Sequence, residues 1–248
     1  MVATTTFKIW RGTAEKGEMV DYQTDVTEGM VVLDAIHQIQ AESAPDLACR
    51  WNCKAGKCGS CSAEINGAPR LLCMTRCSDL PLEQGVTIEP MKAFPLIRDL
   101  VTDVSSNYRA KKKIKKFKPR KPDAEDGTWR IRQEDVERVQ EFRKCIECFL
   151  CQDVCHVLRE HKLHDEFIGP QLLVYTAALD MHPLDIEDRT DDLKTRDNIG
   201  YCNITKCCTT VCPEHITITD NAIIPLKERV VDAHYDPIAK LLRFAKSK

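Results

Sequence analysis

Most of the fourteen cysteines in this 248-residue chain fall into two spacings that suit iron–sulfur chemistry. Cys53, Cys58 and Cys61 form a Cys-x4-Cys-x2-Cys run, closed by Cys73. That spacing holds a plant-type [2Fe–2S] cluster. Cys145, Cys148, Cys151 and Cys155 form a Cys-x2-Cys-x2-Cys-x3-Cys run, completed by Cys202, Cys208 and Cys212, with Pro213 directly after. This is the two-cluster bacterial pattern, in which the last cysteine of a run ligates the other cluster. Cys145, Cys148, Cys151 and Cys212 are therefore expected as one ligand set, and Cys155, Cys202 and Cys208 as another. A regular second run would place a cysteine at 205, where the chain has Thr205. With one corner unliganded, the second set is expected to hold [3Fe–4S] beside a complete [4Fe–4S]. Cys207, adjacent but out of phase, is the residue that could upset this count.

Iron is bound by thiolate, so each site must favour deprotonated sulfur. Gly56 and Gly59 lie between ligands of the first run, where tight turns demand left-handed backbone. Four thiolates also make structural zinc sites, but these usually pair two short knuckles, whereas here three cysteines cluster and one is distant. Disulfides suit small secreted chains, and nothing here reads as exported. Cys49 and Cys77 stand just outside the first run, either as substitute ligands or as small buried hydrophobes.

The elements that must position these loops can be read from periodicity. Thr5–Trp10 and Met19–Val26 read as a hairpin turning near Gly12 and Gly17. Val31–Ala41 has helical spacing through Leu33, Ile36 and Ile39, with Pro45 beyond its end. Ser62–Ile65 and Arg70–Leu72 flank Asn66-Gly67, a strong hairpin signal, and Val86–Glu89 reads as a last strand. Pro95–Tyr108 reads as a helix leading away. Helices are expected at Glu134–Lys144, Gln171–Met181 and Asn221–Ala233. The fold class is thus α+β: a β-grasp plant-type ferredoxin domain over 1–108, a basic linker over 109–127, and an α-helical bacterial-ferredoxin-like domain over 128–248. Arg109–Lys121 carries nine basic residues and no acid, so it is either a solvated connection or a strip for an acidic partner or anionic membrane surface.

The totals exclude other classes. A formal charge of −2 gives no general affinity for nucleic acid. No apolar run approaches the ~18 residues of a spanning helix. The start, MVATTTFKIW, has no basic segment before an apolar stretch and is no secretory signal. A bacterial cytoplasm is the expected compartment, with a processed organellar protein as the alternative. The ten glycines are scattered, without a nucleotide-binding fingerprint.

Over nearly its whole length the chain resembles the iron–sulfur subunit of succinate dehydrogenase and fumarate reductase. The resemblance rests on CKAGKCGSC (Cys53–Cys61), the closing Cys73, CIECFLCQDVC (Cys145–Cys155), EFIGPQLL (Glu166–Leu173) and CNITKCCTTVCP (Cys202–Pro213). It implies a complex serving the tricarboxylic acid cycle. A flavoprotein subunit carries covalent FAD and interconverts succinate and fumarate. This subunit, with no substrate site of its own, relays electrons through [2Fe–2S], [4Fe–4S] and [3Fe–4S] to a quinone at a membrane anchor subunit. It would lie peripherally on the cytoplasmic face of a bacterial plasma membrane. Many ubiquinone-reducing members have proline, tryptophan and histidine where this chain has His156, Glu160 and Asn203, which leans toward menaquinone. His156, His161 and His164 near that end are either proton carriers or solvated, helix-capping residues. Fumarate reduction in the reverse direction, or service to another flavin-linked dehydrogenase, are the alternatives.

Overall fold

The computed structural model describes residues 3–237. Strands β1 (Ala3–Gly12) and β2 (Gly17–Val26) pair antiparallel from Ala3 opposite Val26 to Gly12 opposite Gly17. The expected hairpin is present, with longer strands. Helix α1 (Val32–Glu42) follows, its start held by the Val31 N–H donating to Asp34 Oδ2 at 3.2 Å. Strands β3 (Ser62–Ile65) and β4 (Ala68–Leu71) turn through Asn66 and Gly67, both at positive φ, as the dipeptide predicts. Strand β5 (Val86–Glu89) pairs parallel to β1 and antiparallel to β3, giving the order β2-β1-β5-β3-β4. The apolar stripe of α1 (Val32, Leu33, Ala35, Ile36, Ile39) is buried with Phe7, Ile9, Val86 and Ile88.

The helix expected over Pro95–Tyr108 is not formed. Two short antiparallel strands, β6 (Leu96–Arg98) and β7 (Val101–Thr102), stand there, and α2 (Ser105–Lys113) begins only at Ser105. The buried Asp99 decides this. Its carboxylate accepts from Gly12 N (2.7 Å), Ala48 N (2.8 Å) and Arg11 Nε (3.2 Å), with Asp99 itself at φ 49. A left-handed residue pinned from three sides cannot continue a helix.

The second half consists of helices and turns: α3 (Gln133–Gln140), running into a 3₁₀ turn (Glu141–Lys144), then the one-turn helices α4 (Leu150–Asp153) and α5 (His156–Arg159), α6 (Pro170–Asp180), α7 (Thr190–Thr195), α8 (Cys207–Thr210), a π-helical stretch (Ile218–Ile223) and α9 (Ile224–His234). The expected helices at 134–144, 171–181 and 221–233 are present, the first finishing as 3₁₀ and the last starting inside the π stretch. Its core gathers Phe142, Phe149, Leu172, Leu173, Ala222 and Leu226. The two halves share apolar surface, since Cys148 and Leu150 are buried with the core of the sheet half.

The basic segment does not run free. Ile114 is buried in the helical core, and the fully buried Arg189 donates to the carbonyls of Lys115 (3.0 Å) and Lys116 (2.9 Å). Arg120 N donates to Leu184 O and Ile186 N to Lys118 O, while Lys115 and Lys118 face Glu187. Part of its charge is thus met by an acidic stretch of the same chain. Among the described residues no helix is long and apolar enough to cross a membrane.

Candidate metal centres

In the first loop, Lys54, Gly56 and Gly59 have positive φ, which folds the backbone tightly between the cysteines. The N–H groups of Ala55 and Lys57 donate to Cys53 Sγ, both at 3.3 Å. Burial opposes ionisation at Cys58, but hydrogen bonds from Ser60 and Cys53 outweigh it and bring that thiol down to about 6. Burial pushes Cys61 up to about 12, with Cys73 in hydrogen-bonding contact. The structure thus brings the four expected cysteines into one loop system, Cys53 exposed and Cys61 and Cys73 buried. Cys77 is sealed in the apolar core, and Cys49 turns its thiol toward Arg50 O at 3.6 Å. Cys77 is buried and Cys49 half-buried, and burial raises their thiols to about 11 and about 12 respectively.

Cys145, Cys148, Cys151 and Cys212 line a single small cavity of about 20 Å³, walled by Ile146, Phe149, Val174, Ile216 and Ile218. Burial raises Cys148 to about 12 and Cys151 well above the ordinary thiol range, with neighbouring thiols of the same set adding to it. The Ile216 N–H donates to Cys212 Sγ at 3.4 Å. A second small cavity, also of about 20 Å³, is lined by Cys155, Cys202 and Cys208, joined by Cys207, His156, Asn203 and Thr205. Each expected set is therefore brought together, and Cys212 joins the first run as the spacing rule requires. Glu160 lies apart, its side chain 66 % exposed and paired with Arg159. His164 packs on Phe94 with ring centroids 5.8 Å apart.

The two loops are built alike. Glu147 and Phe149 take left-handed φ just before α4, and Ile204 and Lys206 do the same just before α8. One offset of 57 residues relates the left-handed residues, 147 to 204 and 149 to 206, and also relates Cys145 to Cys202, Cys148 to Thr205, Cys151 to Cys208 and Cys155 to Cys212. Thr205 thus stands where the other loop has Cys148.

The three thiol sets lie next to one another. A Cβ on Gly59 would come within 2.7 Å of Cys148 Cα, and Ser62 Oγ donates to Cys148 O at 2.8 Å. The first loop is thus pressed against the second set. Helix α4, which carries Cys151 of the second set, packs against α8, which carries Cys208 of the third. Across the junction, the fully buried Glu64 of β3 accepts from Arg159 of α5 (Nη2 to Oε2 3.2 Å) and faces Lys92 at 3.2 Å. Lys57 reaches Glu214 at 2.9 Å. Sequence reading missed these junction residues, since nothing local marks a contact between positions so far apart in the chain.

The donor chemistry fits iron–sulfur cores: thiols ranged around two small cavities and one tight loop, with N–H groups aimed at sulfur. Among the described residues no group of three His, Cys, Asp or Glu side chains is placed to hold a single metal ion.

Residues 6–109 match a family model for the 2Fe-2S iron-sulfur cluster binding domain, and residues 141–216 match one for the 4Fe-4S dicluster domain. The chain is 34 % identical over 199 residues to a fumarate reductase iron-sulfur subunit of Mycobacterium tuberculosis, covering 79 % of both chains. It is 31 % identical over 218 residues to a succinate dehydrogenase iron-sulfur subunit of Coxiella burnetii, covering 85 % of this chain and 91 % of that one. A chain of the Mycobacterium smegmatis Sdh1 complex in the apo form superposes with a TM-score of 0.92 at 58 % identity, over 96 % of this chain and all of the other. Cysteine sets, fold and relatives agree, and the chain belongs to the iron–sulfur subunits of the succinate dehydrogenase and fumarate reductase family.

Proposed function

We propose that the chain is the electron-transfer subunit of a succinate:quinone oxidoreductase, passing electrons from a flavoprotein with bound FAD to a quinone at a membrane anchor subunit. In this reading Cys53, Cys58, Cys61 and Cys73 hold [2Fe–2S]. Cys145, Cys148, Cys151 and Cys212 hold [4Fe–4S]. Cys155, Cys202 and Cys208 hold [3Fe–4S]. Bound there, the clusters supply one-electron redox chemistry. The observation that carries the reading is the row of three thiol sets, with Gly59 and Ser62 against Cys148 and α4 against α8.

The chain's own residues do the rest. Mostly apolar side chains wall the second set, and backbone N–H groups donate to the sulfurs of Cys53 and Cys212. The third set faces the quinone. Its wall carries His156 and Asn203 in place of the family's ubiquinone contacts, which favours menaquinone. The subunit lies peripherally at the cytoplasmic face of a bacterial plasma membrane. Fumarate reduction is the second reading, favoured by the relative named a fumarate reductase iron-sulfur subunit.

Electron paramagnetic resonance of the natively purified complex, oxidised by air and then reduced by succinate, tests this. An oxidised three-iron signal should vanish as a reduced [2Fe–2S] signal grows. Signals that ignore succinate would move the chain to another dehydrogenase. The lack of any iron–sulfur signal in an intact, metal-containing preparation would overturn the reading.

A further inference from the structure

Cys207 is a fourth thiol on the third cavity. It was set aside by spacing, because the repeat places the missing ligand at 205, yet the folded chain brings it to the wall shared by Cys155, Cys202 and Cys208. Its position there is specific. Thr205 occupies the corner where the equivalent loop has Cys148, and Thr205 Oγ1 lies 3.2 Å from Cys207 Sγ. The Cys207 sulfur therefore sits beside the open corner. Lys206, left-handed at φ 62, turns the chain immediately before it, so a small backbone adjustment at the start of the one-turn helix α8 would swing its thiol.

We infer that Cys207 is a reserve ligand of the third centre, able to close the open corner so that the site holds either three or four irons. The inference rests on the three-iron reading of Cys155, Cys202 and Cys208. The conversion balances without added electrons once the three-iron core is reduced. One ferrous ion enters, an iron–sulfur bond to Cys207 forms, and the thiol proton leaves to solvent. Oxygen reverses it by taking an electron from the four-iron core, whereupon the ferrous ion leaves and a proton returns to Cys207. Electrons for the first reduction arrive by the chain's own relay. The site would thus respond to iron supply and redox state, and would stop passing electrons at the three-iron potential while the fourth iron is bound.

The test uses the natively purified complex carrying wild type, Cys207→Ala or Cys207→Ser. Each is reduced anaerobically with dithionite and ferrous salt, desalted, mildly re-oxidised without air, and read by electron paramagnetic resonance and iron assay. In wild type the oxidised three-iron signal should fall several-fold and iron should rise by about one per chain. In both variants signal and iron content should stay put. The [2Fe–2S] signal reports that each variant is folded, and Cys207→Ser keeps the size of the side chain should alanine perturb α8. Equal behaviour of wild type and variants overturns the proposal and leaves the three-iron reading intact. A three-iron signal missing from untreated wild type but present in Cys207→Ala would support ligation by Cys207 and discard the three-iron resting state. Its absence from both would overturn the proposal and the reading together.

Discussion

Glu64 is a carboxylate with no solvent exposure in the middle of a strand. An ionised group there is tolerable only with its partners in place, Arg159 from α5 and Lys92 from the loop after β5. Removing the guanidinium leaves a buried charge half-compensated. Arg159→Ala should therefore cost about 3 kcal/mol, read as a lower denaturation midpoint of the complex. A variant as stable as wild type would mean that Lys92 alone suffices. The sequence showed little of this. Ser62–Ile65 reads as a strand, and nothing local in it marks Glu64 as buried. In fact every residue of β3 is buried, because the helical half covers its second face. The cysteines were legible for the opposite reason. Their spacing is a local constraint of loop closure on a fixed inorganic body, and it survives whatever the rest of the chain does.

At the scale of elements, α6 and α9 are clamped by a charge pair. Arg229 donates to Asp180 O at 2.9 Å and also bonds its carboxylate. Burial outweighs Arg229 and Arg189 and holds the Asp180 carboxyl above its usual range. A raised folded pKa means that the native state binds the proton more tightly than the unfolded chain, whose value is near 3.8. The stability Asp180 lends is thus complete below that value and is lost as pH rises through the folded one. Arg229→Ala strips the main compensating charge, so its cost should be small near about pH 4 and grow to about 3 kcal/mol near about pH 8. Thermal unfolding of the complex across that range checks it. A cost that does not change with pH would show that the clamp works by packing alone. Elements with strong local signals, such as the β1–β2 hairpin, the Asn66-Gly67 turn and α1, were legible from periodicity. The segment over Pro95–Tyr108 was not. It reads as a helix leading away, and only the tertiary bonds to Asp99 from Gly12, Ala48 and Arg11 reveal why it bends.

At the scale of the whole molecule, function depends on how closely two independently legible halves are joined, and Gly59 sets that distance. Its φ of +65 favours glycine, and a Cβ there would meet Cys148 Cα at 2.7 Å, Cys148 N at 2.9 Å and Cys148 Cβ at 2.9 Å. Two of these are backbone atoms, which cannot swing aside as a flexible side-chain end would. Gly59→Ala must therefore push the first cysteine loop away from the second set, or distort the turn that carries Cys58 and Cys61. Both outcomes weaken the same step, but they leave different traces. If the halves separate, the [2Fe–2S] signal keeps its shape and succinate still reduces it, while re-oxidation through the later centres slows several-fold. If the turn distorts, the [2Fe–2S] signal itself broadens or is lost. Rapid-freeze measurement of both signals after a pulse of succinate separates them. Unchanged kinetics with an unchanged spectrum would show that electrons do not cross where Gly59 meets Cys148, and the row of thiol sets would then not be the path.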